Sequence, residues 1–280
     1  MFNKLEFSNA GYFLNPENPV NYELMFNTTT KWSGSDNVVN FKRNQPNPYG
    51  RDDITYQYNE RGFRSDSFDS TADKRIVFIG CSMTEGTGLA KEDTWSYILL
   101  DLIKKETGLN IPYWNLGLGG CGLDAITRLF YHYSDILKPN LVFGLWPCYR
   151  REFKVDGIGW DMVLPSNNSK IFEENPILTK KETIWYETEK NLAIIDLMIG
   201  KNNSTLIWDY WDRDDVFTGK IDTKLEHLKH KVNIFRRLKI SLPQPVEMAR
   251  DGLHPGKEFN KQFALTLFYE KKDVILEALL

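Results

Sequence analysis

The sequence predicts an α/β protein: a mostly parallel sheet covered on both faces by helices, preceded by an irregular N-terminal extension. Three observations carry this. From Lys74 onward, short apolar runs alternate with longer segments of helical periodicity. The strand-like runs are continuously apolar, as strands buried on both faces are. The first 70 residues lack both signatures and are rich in Asn, Pro, Gly and Tyr, as in "LNPENPVNYE" and "RNQPNPYGRDD".

Each element follows in order. Within the extension (residues 1–70) the aromatics argue against disorder, so it is expected to pack on the main domain (residues 71–280). Its last part, "YQYNERGFRSDSF", is expected to hold a short strand and a tight turn at Gly62. "RIVFIG" is a buried strand ending in glycine. "TWSYILLDLIKKETG" carries Trp95, Ile98, Leu99, Leu102 and Ile103 at helical spacing and stops at Gly108. "IPYWNLG" is a second strand and "LDAITRLFYHYSDIL" a second helix, ended by Pro139. "LVFGLW" is a third strand, followed by a long irregular stretch from Pro147 to Lys180. "TIWYETEKNLAIIDLMI" is a third helix and "STLIWDY" a fourth strand. The second half of the charged region from Asp212 to Leu238 reads as helical, and "KEFNKQFALTLFYEKKDVILEAL" is a closing helix.

Composition narrows the function. A chain of 280 residues with 41% hydrophobic residues can bury a sizeable core. The formal net charge of -3 gives no electrostatic footprint for nucleic acid or an anionic membrane. Cys81, Cys121 and Cys148 form no C-x-x-C pair, which points to a reducing compartment without zinc. No apolar run reaches the length of a membrane span, and "MFNKLEFSNAGYF" lacks a signal-peptide core. The expected location is therefore cytoplasmic, or within a virion.

In a parallel sheet the working site lies at the carboxyl ends of the strands, so the residues after each strand matter most. Ser82 follows the first, beside a helix N-terminus whose free N–H groups favour developing negative charge. Gly120 lies in "NLGLGGCG" after the second, where a glycine lets backbone approach a substrate. Before the last helix, "DGLHPG" places Asp251 three residues from His254. Asp251 can fix the histidine tautomer, and the other ring nitrogen can take a proton from a serine.

These blocks resemble the SGNH/GDSL hydrolase superfamily. "VFIGCSMTEG" is similar to its first block, usually G-D-S with a later glycine. "NLGLGGCG" is similar to the second, with Gly120 at the place of the oxyanion glycine. "DGLHPG" is similar to the last, with Asp251 and His254 as its D-x-x-H pair. The lead-in "YNERGFRSDSF" also resembles that of bacterial and phage members. The resemblance implies a flavodoxin-like α/β/α sandwich. It also implies acyl-ester hydrolysis by a Ser82–His254–Asp251 triad with an oxyanion hole from the N–H groups of Ser82 and Gly120, and no metal or organic cofactor. Two departures stand out. Cys81 replaces the Asp before the serine. The third block's Asn is missing from "LWPCYRRE", and one lost oxyanion donor costs about 2.7–4 kcal/mol. Arg150 or Arg151 is the candidate replacement donor or substrate clamp, against an internal salt bridge with Glu152.

Blander readings compete. Ser82 alone would be a helix cap. Cys81 and Cys148 read as packed small residues. Glu226, His227 and His230 are close enough on a helix to suggest a metal, but the surrounding Lys residues read as a solvated face without a dry wall, and His132 reads as structural. The acidic loop from Asp209 to Asp215 lacks an EF-hand pattern, while Trp208, Tyr210 and Trp211 are either core or substrate contacts. The expected substrate is a small-molecule or carbohydrate ester, an O-acetylated sugar being suggested by the aromatics and the 147–180 insert. The alternatives are an SGNH-fold binding or structural module, for example in a phage particle, and acyl transfer to an alcohol.

Overall fold

The structure is a computed structural model. It describes residues 26–47, 49–147, 152–156, 159–163, 181–211, 230, 232, 234, 237, 238 and 247–280. Thr29–Thr30 (β1) pairs antiparallel with Tyr56–Gln57 (β2), and Val38–Arg43 (α1) lies between them in sequence. The Asn37 side chain accepts from the N–H groups of Val39 and Asn40 and so starts α1. Gly62 turns the chain at φ +77°, its N–H donating to the Asn59 carbonyl, as the sequence predicts.

The α/β body begins with Ile76–Gly80 (β3) and the single turn Ser82–Glu85 (α2). Trp95–Thr107 (α3), Trp114–Asn115 (β4), Leu123–Leu137 (α4) and Leu141–Pro147 (β5) follow. Next come the antiparallel hairpin Glu152–Asp156 (β6) and Gly159–Val163 (β7), then Lys181–Asn202 (α5), Thr205–Trp211 (β8) and Lys257–Leu279 (α6). The hairpin corrects the expectation that the whole 147–180 stretch is irregular. Its signal is the period-two placing of Phe153 and Val155, then Trp160 and Met162. Of the helix expected toward Leu238, the described residues Ile234, Arg237 and Leu238 are helical.

The main sheet has the order β4-β3-β5-β8, every pairing parallel. Counted along the chain this is 2-1-3-4, the doubly wound flavodoxin-like order. Alternate residues of β3 serve opposite faces. Ile76 and Phe78 join Trp95, Leu99 and Ile103 of α3 and Phe259 and Phe263 of α6 in one core. Val77 and Ile79 join Ile126, Leu129 and Phe130 of α4 and Leu192 and Ile195 of α5 in the other. The result is a three-layer α/β/α sandwich. Each fully buried aliphatic or aromatic side chain adds roughly 1.5–3 kcal/mol, so the two cores hold the sheet between its helices.

The strand expected over "IPYWNLG" is reduced to two residues. Pro112 has no N–H to give a ladder. Beyond β4 the chain still runs beside β3, with the Leu116 and Leu118 N–H groups donating to the Phe78 and Gly80 carbonyls. That path brings the glycine loop 117–122 alongside the end of β3. On its outer side β4 is covered by the lead-in segment: Asp66 N–H donates to the Tyr113 carbonyl, and Asp66 Oδ2 accepts from the Tyr113 N–H at 2.8 Å. Pairing the edge in this way removes a template for aggregation.

Candidate active site

The turn after β3 is built around glycine. A Cβ on Gly80 would lie 2.1 Å from Thr84 Oγ1 and 2.3 Å from the Leu145 carbonyl oxygen, so no side chain fits. Cys81 is extended and caps α2, its carbonyl accepting from the N–H groups of Thr84 and Glu85. Ser82 therefore occupies the first helical position, where the N–H has no partner within the helix. Gly86 ends the turn at φ +81°, and the buried Arg64 guanidinium binds the carbonyls of Gly86 and Leu89, each at 2.8 Å. The lead-in "YNERGFR" thus has a structural role, because Arg64 ties down the loop that follows Ser82.

Cys81 is fully buried in the α3/α6 core, and its Sγ accepts the Trp211 indole N–H at 3.3 Å. A small apolar residue with a weak acceptor suits that place. Trp208 and Tyr210 belong to the opposite core, Trp208 stacked on Trp146 at 5.2 Å. Asp209 is buried and accepts the Ile234 N–H at 2.8 Å, a capping role. Its place in the acidic loop is thereby structural. His132 packs edge-on against Tyr133.

The loop before α6 is a tight turn. Its Ala249 N–H donates to the His254 carbonyl and its Gly252 N–H to the Ala249 carbonyl, with Gly252 at φ +67°. It docks on the loop after α2 through the Arg250 N–H, which donates to the Gly88 carbonyl. A Cβ on Gly88 would meet Ala249 Cβ at 2.8 Å, so glycine permits this close approach.

The docking brings three predicted residues together. His254 Nε2 lies 2.8 Å from Ser82 Oγ, and His254 Nδ1 lies 2.6 Å from Asp251 Oδ2. The carboxylate fixes the proton on Nδ1, which leaves Nε2 to accept from the serine hydroxyl. Asp251 is wholly buried, while the His254 side chain keeps 18% of its surface exposed. Burial by itself raises the Asp251 pKa. The hydrogen bond and charge of His254 and the donors from Leu253 N–H and Ser35 outweigh it, so the carboxyl lies below its ordinary value.

Gly120 lies in the glycine loop after β4 at φ +83°. Among the described residues no hydrogen bond engages the N–H of Ser82 or of Gly120. Asn115 braces the loop: it is buried, its Nδ2 donates to the Thr84 carbonyl, and its Oδ1 accepts the Gly117 N–H at 2.8 Å. Below the loop lies the buried Glu85, which accepts from Tyr58, Ser33 and Thr87. Burial and the Glu85 charge push the Tyr58 hydroxyl well above its ordinary range, so it remains a donor.

Arg150, Arg151 and Cys148 lie outside the described residues, as do Glu226 and His227. The described end of the third strand, Gly144 to Pro147, offers no carboxamide, and Trp146 is core. Sequence reasoning missed Ser35, Asp36, Asn44, Glu85 and Arg250, all of which touch this loop system. Ser35 and Asp36 stand in "SGSDN", which by itself signals only the cap of α1.

No family model matches the chain, and no characterised protein sequence does. Among solved structures the chain is similar to TesA, at 13% identity over 72% of this chain and 99% of that one, with a TM-score of 0.48. It is similar to the psychrotrophic esterase EstA from Pseudoalteromonas sp., at 15% identity over 73% and 99% with a TM-score of 0.49. It is also similar to a family 3 carbohydrate esterase from Clostridium thermocellum, at 18% identity over 73% and 98% with a TM-score of 0.47.

Proposed function

We propose that the chain is a serine hydrolase of SGNH type that cleaves acyl esters. One observation carries this: the unbroken hydrogen-bonded series Ser82 Oγ, His254 and Asp251, with links of 2.8 and 2.6 Å. A hydroxyl is a weak nucleophile until an adjacent base takes its proton, and the base works when a carboxylate holds its tautomer. Ser82 Oγ attacks the ester carbonyl while His254 Nε2 takes the hydroxyl proton. The new C–O bond leaves negative charge on the carbonyl oxygen, which the N–H groups of Ser82 and Gly120 are placed in sequence to receive. His254 then returns the proton to the departing alcohol. Water, deprotonated by His254, cleaves the acyl-serine and restores the enzyme.

A helix cap does not need a histidine on its hydroxyl, and a module kept only for binding does not need a buried carboxylate behind that histidine. The substrate class we propose is an acetyl ester of a carbohydrate. The test is labelling with a fluorophosphonate probe, followed by a panel of acetyl, butyryl and octanoyl esters and an acetylated sugar. Stoichiometric label on the wild type, abolished by Ser82→Ala and by His254→Ala, is the expected result. An unlabelled, folded wild type would overturn the enzyme reading in favour of a binding module. Preference for octanoyl esters would overturn the acetyl assignment alone.

A further inference from the structure

The Asp251 carboxylate receives a donor from a part of the chain that the triad does not include. Ser35 Oγ lies 2.7 Å from Asp251 Oδ2, the same oxygen that faces His254 Nδ1, although the two residues are 216 positions apart. Oδ1 is occupied by the N–H groups of Leu253 and His254, at 3.0 and 3.1 Å. Each carboxylate oxygen thus has two donors, and Ser35 supplies the one that neither the 251–254 turn nor the imidazole can.

The turn that presents Ser35 is held from both sides. Ser33 and Asp36 exchange backbone hydrogen bonds across Gly34 and Ser35. Ser33 Oγ donates to buried Glu85 and accepts from the Tyr58 hydroxyl at 2.6 Å. Asp36 forms a fully buried ion pair with Arg250 at 2.6 Å and accepts from the Tyr56 hydroxyl at 2.6 Å. Asn40 Nδ2 binds the Ser35 carbonyl at 2.7 Å, and Asn44 Nδ2 binds the Asp251 carbonyl at 2.6 Å. A hydroxyl fixed to this degree is pre-organised, and pre-organisation is what supporting hydrogen bonds supply to a working site.

We propose that Ser35 is a positioning residue for the acid of the triad: its hydroxyl fixes the rotation of the Asp251 carboxylate and shares the charge on Oδ2. This rests on the triad assigned above. With Ser35 present, the carboxylate presents Oδ2 squarely to Nδ1 and competes less strongly for the imidazole proton. Without it, the carboxylate is free to turn about its Oδ1 contacts, and Oδ2 attracts that proton more strongly. The groups facing Asp251 are the His254 imidazole, the Ser35 hydroxyl and the Asn44 carboxamide; the Arg250 guanidinium next to it in sequence is turned away to Asp36.

The experiment is the rate of fluorophosphonate labelling of Ser82 across pH in the full chain, with the labelled fraction recorded at completion. Ser35→Ala is expected to slow labelling about 10- to 150-fold, the range that a hydrogen bond to a charged group supports. Its acid limb should move to higher pH. Ser35→Cys, similar in volume but a weak donor, should behave like Ser35→Ala and guards against a folding defect in the alanine variant. Ser35→Thr, which keeps the hydroxyl, should restore most of the rate. A purely structural role would lower the labelled fraction and leave the rate per labelled molecule and its pH midpoint unchanged, and that result overturns the proposal. Wild-type rates in Ser35→Ala would overturn it too while leaving the triad intact. A folded wild type that takes no label removes the triad and the role of Ser35 with it.

Discussion

Asp251 concentrates the demands of the site in one side chain. It is buried, and four donors make that burial tolerable. Replacing it with Asn keeps the shape but leaves one acceptor oxygen, which the Leu253 and His254 N–H groups claim, so that an amide donor faces Nδ1. The expected outcome is a fall of roughly 10⁴-fold in the labelling rate of Ser82, the size of the effect that the same change has in a serine triad on an unrelated fold. The depressed pKa also gives a stability prediction. A carboxyl held below its unfolded value stabilises the fold above that value, and the contribution is lost as pH falls through the folded one. The difference in denaturation midpoint between wild type and Asp251→Asn should therefore hold at mildly acid pH. It should shrink as pH drops below about 3.9. Urea titrations of both proteins across that window check it. At this scale the sequence is legible where spacing is local: Asp251 and His254 sit three apart on one turn. Ser35 is not legible, because nothing within "SGSDN" points to a carboxylate more than two hundred residues away.

The elements that carry the site differ in tolerance. The exit of β3 is crowded, so Gly80→Ala must part Thr84 from the Leu145 backbone. Overpacking of this kind costs about 1–3 kcal/mol, and here it also displaces α2. A lowered denaturant midpoint together with slower Ser82 labelling is the expected outcome. Gly200 on α5 has open space around its Cβ position. There Gly200→Ala should raise stability by roughly 0.5–1 kcal/mol through helix propensity and the less flexible unfolded chain, with labelling unchanged. The helices α3, α4 and α6 are legible nearly to the residue, as in α4, where both apolar periodicity and the Pro139 stop are local signals. β4 and the β6–β7 hairpin are much less so. The first depends on a proline that ends its ladder, and the second is hidden by the irregular composition on either side.

Across the whole molecule, the segment before β3 is bolted to the loop before α6 by the Asp36–Arg250 pair, both side chains fully buried. Arg250 also binds the Lys31 and Asp52 carbonyls and lies 4.4 Å from the Trp32 ring centroid. Breaking one side of a buried pair leaves an uncompensated charge, so Arg250→Met should cost about 3–5 kcal/mol. Asp36→Leu combined with Arg250→Met should recover part of that loss. A double-mutant cycle by chemical denaturation measures the coupling, and labelling rates report whether Ser35 and His254 remain in place.

The sequence by itself determined the alternation of strands and helices, the crossing from one sheet face to the other, and the three short blocks that hold Ser82, Gly120, Asp251 and His254. Those are consequences of periodicity, glycine geometry and near-neighbour spacing, which act over a few residues. Only the tertiary structure decided that "SGSDN" meets the turn of Asp251 and His254, that the partner of the packed Cys81 is the Trp211 indole, and that Asn115 and Glu85 brace the glycine loop. These contacts join segments brought together by the sheet order and two buried cores. Their energies depend on burial and distance, which no local pattern encodes.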